Sequence, residues 1–430
     1  MYRHSVSYLL LLLAGLCFMA GCNSQKVNQS STDRLYKKDN NELGAEFYVY
    51  HVNDSISRLF YTFSNEPLVY KRTDSSSYFF SNVKLLVMPS PEENLSLLLD
   101  TAAILIRDRQ LNVTVKPLKG SLYFKLRAGQ KYHVDLRIED LNKHIRYTNS
   151  VYTDKTSKDT RQNFLVTNAA GEVHFTPYYK AGEEVLVVSD RNSERLFNVD
   201  YFLEDFRLAP PPFSQEPVAR KSYKADSSFS VYGSNFIDRS GVSVKLTLPQ
   251  KGFYHMKTNE QTKEGITFFV YEPSYPGIKN SEQMIQATRY IMAKREYENC
   301  MSAANQKEAI DKFWIDLGGS RERGTELIRK YYGRVQDANK LFTSYQEGWK
   351  TDRGMVYIVF GAPNRVNKRR NGEIWVYGEP GNPSSTVFSF IKVLNPFTDN
   401  DYSLERNETF KMPWYQAVDM WRQGRVYLDN

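Results

Sequence analysis

Gly348-Trp349-Lys350-Thr351-Asp352-Arg353-Gly354 runs directly into Met355-Val356-Tyr357-Ile358-Val359-Phe360-Gly361-Ala362-Pro363, and these residues decide how the C-terminal part of the chain folds. A long helical pattern closes at Gly348, which reads as the residue just past the helix end, where a left-handed backbone excludes a side chain. Thr351 to Gly354 reads as a tight turn with glycine at its last position. The apolar, β-branched run 355–360 then reads as a strand, with Trp349 folding over a core and locking helix to strand.

Upstream of this corner the period is helical. Asn280 can cap a first helix with Gln283 at its third position, and Met284, Ile285, Thr288, Ile291, Met292 and Arg295 follow helical spacing. A second helix is expected over about 303–316, with Ile310, Phe313 and Trp314 apolar. After the stop at Gly318-Gly319, Ser320 starts a third helix, whose stripe is Leu327, Tyr331, Val335, Ala338 and Phe342. Downstream, strand 355–360, a basic loop (Arg365-Val366-Asn367-Lys368-Arg369-Arg370) and strand 373–377 read as a hairpin that a strand at 386–393 would extend. Trp414 and Trp421 mark a tail packed back on the fold.

The corner also carries a resemblance. Gly-Trp-x-Thr-Asp-Arg-Gly, the followers Tyr357-Ile358 and Gly361-x-Pro363, then Glu373-Ile374-Trp375-x-Tyr377, with Phe313-Trp314 and Tyr331-Tyr332-Gly333-Arg334-Val335 upstream, resemble the GWxTD-domain proteins, a lipoprotein family of Bacteroidota. The resemblance covers roughly the last third of the chain and brings no assigned reaction with it.

The rest of the chain reads as β-structure. From 44 to 152 come Phe47–Tyr50, Leu59–Phe63, Leu68–Tyr70, Val83–Val87, Ile104–Ile106, Leu111–Val115, Leu122–Leu126 and Val134–Ile138, short runs spaced as in a β-sandwich. A second module is expected over 153–275, with strands at Glu184–Val188 and Thr267–Tyr271. In it Val242, Val244, Leu246 and Leu248 alternate with polar residues, the pattern of one buried face. The fold class is therefore mainly β then α+β: two Ig-like β-sandwiches followed, from 276 to 430, by helices on a small antiparallel sheet. One larger assembly over 44–270 is the alternative to two modules.

The first residues read as a lipoprotein leader, 1–21. Arg3 and His4 precede an apolar run from Leu9 to Ala20, too short to span a bilayer, and Met19-Ala20-Gly21-Cys22 resembles a lipobox. Cys22 would be cleaved free and acylated (palmitate among its chains), and residues 22–43, with almost nothing to bury, would be a flexible tether. Cys17 leaves with the leader, so Cys300 remains alone and reads as a buried small hydrophobe. Asn23 after the lipidated cysteine resembles an outer-membrane sorting signal. With the first acid at Asp33, the reading is a periplasm-facing protein, the cell surface being the alternative.

Thirty tyrosines, 25 phenylalanines and a formal charge of +8 fit an aromatic β-rich protein near anionic lipid. There is no nucleic-acid-binding motif, and no cofactor or metal set. Among catalytic patterns, a Gly-x-Ser-x-Gly elbow, His-Glu-x-x-His and a Walker loop are all missing from the sequence. Trp349 and Trp375 could stack on a sugar or peptide ring with Asp352 accepting its hydrogen bonds. The turn logic already explains both glycines, however, and the reading taken is an architectural joint. Arg365, Lys368, Arg369 and Arg370 are candidate contacts for anionic head groups or an acidic partner. The expected function is a non-catalytic scaffold or accessory subunit of an outer-membrane protein complex. Its partners would be the bilayer, through the acylated cysteine, and an outer-membrane protein. The alternatives are a carbohydrate- or peptidoglycan-binding lipoprotein and a hydrolase of envelope polymers.

Overall fold

The structure, a computed structural model, describes residues 30–32, 36–37 and 43–427, less 73–75, 191–195, 204–207, 216–223, 236–240, 370, 380–381 and 383. Its first strand, β1 (Ser30–Thr32), belongs to the C-terminal sheet and is met again below. The first module begins with β2 (Glu46–His51), β3 (Ile56–Ser64), β4 (Lys71–Arg72), β5 (Phe79–Pro91) and β6 (Ala102–Gln110). It ends with β7 (Pro117–Lys125), β8 (Lys131–Asp140) and β9 (Ile145–Asp154). One sheet runs β2-β3-β7 and the other β4-β5-β8-β9, with β6 on the free side of β5. Strict alternation along β3 and β8 sends Leu59, Tyr61 and Phe63 from one sheet, and Val134, Leu136 and Ile138 from the other, into one shared core.

Leu111–Val115, expected as a strand, is not one. Side chains take the place of a sheet partner there. Thr114 N–H donates to Gln110 Oε1 (2.7 Å), Lys116 N–H donates to Asn65 Oδ1 (2.7 Å), and Thr114 C=O accepts from Asn65 Nδ2 (2.9 Å). Leu111, Val113 and Val115 are left exposed.

The second module contains β10 (Leu165–Thr167), β11 (Tyr178–Lys180), β12 (Glu183–Ser189), β13 (Leu196–Phe202) and β14 (Ser227–Tyr232). It continues with β15 (Ser234–Asn235), β16 (Val242–Leu248), β17 (Gly252–Lys257) and β18 (Ile266–Tyr271). The sheets are β10-β12-β16-β15 and β11-β18-β17-β13-β14, and the alternating residues of β16 enter the core between them. All six residues of β18 are buried because this strand is covered on both faces. Phe268 and Val270 face the module's own core, while Phe269 and Tyr271, with Phe253 of β17, join Phe397 of the C-terminal module.

The C-terminal module opens with α1 (Ser281–Thr288), α2 (Lys294–Ser302), α3 (Gln306–Gly318) and α4 (Arg321–Phe342). The expected caps are present: Asn280 accepts from Glu282 N–H and Ser320 from Arg323 N–H. The stripe from Leu327 to Phe342 is buried, as is Cys300. The first expected helix, whose stripe runs to Arg295, is two, α1 and α2, and α3 is the helix expected over 303–316. After α4 come α5 (Asp352–Phe360), β19 (Arg365–Arg369), β20 (Gly372–Tyr377), β21 (Thr386–Lys392), β22 (Tyr402–Leu404) and α6 (Lys411–Arg422), whose Trp414 and Trp421 are buried as expected of the tail. The sheet order is β1-β19-β20-β21-β22. The molecule is thus mainly β, in several sheets, with helices concentrated near its C-terminal end.

Two expectations are corrected here. The run 355–360 is helix α5, so the hairpin partner of β20 is β19, the basic run itself, and no basic loop links them. The segment 22–43 has something to bury: β1 pairs antiparallel with β19, Tyr36 lies in the C-terminal core at 8% exposure, and Leu43 is fully buried in the first module.

Candidate functional site

Gly348–Lys350 forms a single 3-10 turn, and Thr351 then caps α5. The Thr351 hydroxyl donates to Gly348 C=O (2.7 Å) and accepts from Gly354 N–H (3.0 Å), so one side chain closes the turn and opens the helix. Asp352, in the first turn, complements the positive end of the helix dipole. The glycines are needed for a reason other than the expected one. Neither has a left-handed backbone; a side chain on Gly348 would strike the carbonyl of Ala338 in α4, and one on Gly354 would strike the carbonyl of Gly348. They let α4, the turn and α5 approach at backbone contact. All nine residues of α5 are buried, and the carbonyls at its end are satisfied from outside. Arg334 donates to Ile358 and Val359 C=O (3.2 and 3.3 Å), and Trp421 Nε1 to Val359 C=O (3.0 Å).

The charged residues of the motif are also turned inward. The Asp352 carboxylate accepts from Leu404 N–H (2.8 Å) and from both terminal nitrogens of Arg406, whose Nη2 also reaches Pro210 C=O (3.1 Å). Pro210 lies in the Pro210-Pro211-Pro212 connection of the second module, so this pair binds modules together. Arg353 lies 3.8 Å over the ring of Tyr402, donates to Asn400, and faces Glu373 at 3.6 Å. Burial opposes its charge, but Glu373 and its neighbours outweigh that and hold the guanidinium above its usual range. Glu373 accepts in turn from Tyr36 Oη (2.9 and 3.0 Å) and Trp375 Nε1 (3.0 Å). Burial first, and then Glu373, push the Tyr36 hydroxyl far up, so it stays a donor. Trp349 is wholly buried: its backbone N–H donates to Asn339 Oδ1 (3.0 Å) and its backbone carbonyl accepts from Tyr290 Oη (2.9 Å), while its indole N–H finds no partner among the described residues. Farther along the signature, Tyr377 Oη donates to Gly361 C=O (2.8 Å), Tyr357 is buried against Phe342, and Pro363 is buried.

The structure therefore brings Trp349, Thr351, Asp352, Arg353, Tyr357 and Trp375 into one buried network, with Arg353 alone of the charged pair bordering a cavity. Sequence reasoning missed Tyr36, Asn339, Asn400 and Arg406 as members. A lone tyrosine inside a polar segment was the one signal available for Tyr36. The basic run divides: Arg365 and Lys368 are half-buried on β19, Arg369 is exposed, and Arg370 lies outside the described residues, as does Cys22. Lys368 bonds Ser150 Oγ of the first module. Among the described residues no group of three His, Cys, Asp or Glu side chains is placed to hold a metal ion, and no helix is long and apolar enough to cross a membrane.

Fold and site together define a class: an α+β module built around a buried turn-helix corner and joined through its polar atoms to two all-β modules. Residues 252–423 match the family model described as the GWxTD domain, and this part of the chain is a GWxTD domain. The match opens at Gly252, the first residue of β17, and so takes in the two strands whose outer face receives Phe397. No curated protein matches the chain. Among solved structures, the crystal structure of Bacteroides uniformis beta-glucuronidase aligns at 12% identity over 33% of this chain and 15% of that one, with a TM-score of 0.19, a likeness that carries no argument.

Proposed function

We propose that the protein is an outer-membrane-anchored lipoprotein, acylated at Cys22, that serves as a non-catalytic scaffold or accessory subunit of an outer-membrane protein complex, with its two all-β modules being Ig-like β-sandwiches. The observation that carries this reading is the inward commitment of the signature. Asp352 hydrogen-bonds Leu404 and Arg406, and Arg353 hydrogen-bonds Asn400 and pairs with Glu373, so they fix α5 against β20, β22 and the residues after it, and through Arg406 against the Pro210 connection. A motif used this way stiffens a body that presents surfaces to partners.

The test is affinity purification of the full chain from detergent-solubilised membranes. Recovery of one integral outer-membrane protein in fixed stoichiometry, lost when the membranes come from cells making Cys22→Ala, supports the reading. A soluble mature chain with an unmodified Cys22 by mass spectrometry sinks the anchor. A monomer that binds murein or glycan instead sinks the scaffold.

A further inference from the structure

Where the two all-β modules meet the GWxTD domain, the packing leaves a cavity of about 890 Å3. Its wall includes His133, Ser150 and Tyr152 from the first module and Lys368 from β19. A smaller cavity of about 270 Å3 shares Tyr152 and Arg161 with it and adds Lys392, the last residue of β21.

These walls carry both signs, with Glu46, Asp337, Glu373 and Asp399 on the larger and Asp154, Glu264 and Asp399 on the smaller, yet two of their lysines are left without an ion pair among the described residues. The Lys368 ammonium bonds only the Ser150 hydroxyl among the described residues, and the Lys392 ammonium sits 3.2 Å over the ring of Tyr152. Neither has a carboxylate at ion-pair distance among the described residues. The carboxylates that act on them through space are Glu373 and Asp135 for Lys368, and Asp399 and Glu92 for Lys392; of these Glu373 is engaged by Tyr36, Trp375 and Arg353, and Asp399 by Arg161 at 3.0 Å. Burial holds both lysines below the usual range, and Asp135, near Lys368, is pushed up by its own burial. Beside them His133 packs edge-on to Tyr152, and its Nε2 finds no partner among the described residues. Burial, then Lys368 and Lys392, keep this imidazole neutral, at about 3. Lys392 and His133 against Tyr152, and Lys368 on Ser150 two residues earlier in β9, set two lysines and an orphaned imidazole nitrogen along adjoining cavities that share Tyr152.

We infer that this three-module junction is a binding site for a small organic or inorganic anion, one bearing a carboxylate or phosphate group, held by Lys368 and Lys392 with His133 as a neutral donor. The site is independent of the scaffold reading and of the buried Asp352–Arg406 pair. An anion there joins the first module to the GWxTD domain, so its binding stiffens the junction as well as filling the cavity.

Calorimetric titration of the full chain at fixed ionic strength, with inorganic phosphate in one arm and acetate in the other, tests this. Saturable one-site binding in either arm is expected, and the arm that saturates identifies the anionic group. Lys368→Met and Lys392→Met should each weaken binding at least tenfold, whereas Lys245→Gln, exposed on β16 and lining neither cavity, should leave it unchanged. Circular dichroism melting confirms that the variants fold; should one fail, the other carries the comparison. Absence of saturable binding in both arms, or binding that survives both lysine substitutions, overturns the inference.

Discussion

Asp352 and Arg406 have side-chain exposures of 7% and 9%, which makes each the required counter-charge of the other. Replacing Asp352 by Ala leaves a buried guanidinium with no carboxylate, and should destabilise the protein by about 3–5 kcal/mol. Arg406→Met should cost a comparable amount, and the double variant less than the two singles together, as denaturant titrations in a double-mutant cycle would show. A loss under about 1 kcal/mol for Asp352→Ala would mean that the pair is not a joint. Asp401, close by, behaves in the opposite sense. Burial, with a contribution from Asp352, raises its carboxyl to about 6, so the folded state binds its proton more tightly than the unfolded chain does. Below the unfolded value the group costs nothing. As pH rises toward and past 6 the unfolded state gains by ionising first, and stability falls by about 2–3 kcal/mol from this group. Asp401→Asn should therefore gain on the wild type between pH 4 and pH 7 in urea titrations at each pH. A difference that does not change with pH would refute the assignment. Of these residues the sequence made Asp352 legible through the motif; Arg406 and Asp401 were not, because nothing local marks a charge whose partner lies tens of residues away.

At the level of elements, the alternating strands were readable and the uniformly apolar run 355–360 was not. The strands β3, β8 and β16 announce themselves because one face is wet and the other dry. Helix α5 has no wet face, and six consecutive apolar residues fit a buried helix as well as a buried strand. The deciding signal was Thr351-Asp352 read as a cap and first turn in place of a β-turn. Gly354 is the sharpest check on that geometry, since any Cβ there meets the Gly348 carbonyl. Gly354→Ala should unfold the C-terminal module or lower stability by more than about 2 kcal/mol, a loss typical of overpacking against unyielding backbone. A strand starting at 355 would tolerate the same change at the end of a turn, so near-normal melting would contradict the helix. The N-terminal segment was misjudged for a different reason. Its composition is polar, but one residue, Tyr36, lies between Phe342 and Trp375 with its hydroxyl on Glu373. Tyr36→Ala should cost about 3 kcal/mol or more, as for other buried aromatics. Hydrogen exchange should then rise at β19, whose edge β1 covers.

Across the whole molecule, the route of the N-terminal segment determines which part would lie nearest a membrane. Eight residues lead from Cys22 to Ser30, and Ser30 pairs with Lys368 on the edge strand of the GWxTD domain. Even fully extended, eight residues reach at most about 29 Å. A lipid on Cys22 would thus hold the GWxTD domain close to the bilayer, with the all-β modules free to extend away, whereas a tether free up to residue 43 would have let them stand between. The charge distribution fits, since Arg369 is exposed on that same edge strand. Energy transfer can decide the orientation. The acylated protein in liposomes, labelled singly at Arg369, at Leu105 on β6, or at Tyr232 on β14, would be paired with acceptor lipids; Leu105 and Tyr232 are 62% and 79% exposed and accept a label without repacking. Transfer should be strongest from position 369 and weaker from the other two. It should persist at raised salt, because a covalent anchor rather than screened attraction sets the distance. Stronger transfer from 105 or 232 would mean that β1 leaves its place on β19 when the lipid is seated, and that the strand is a latch instead of a fixed edge.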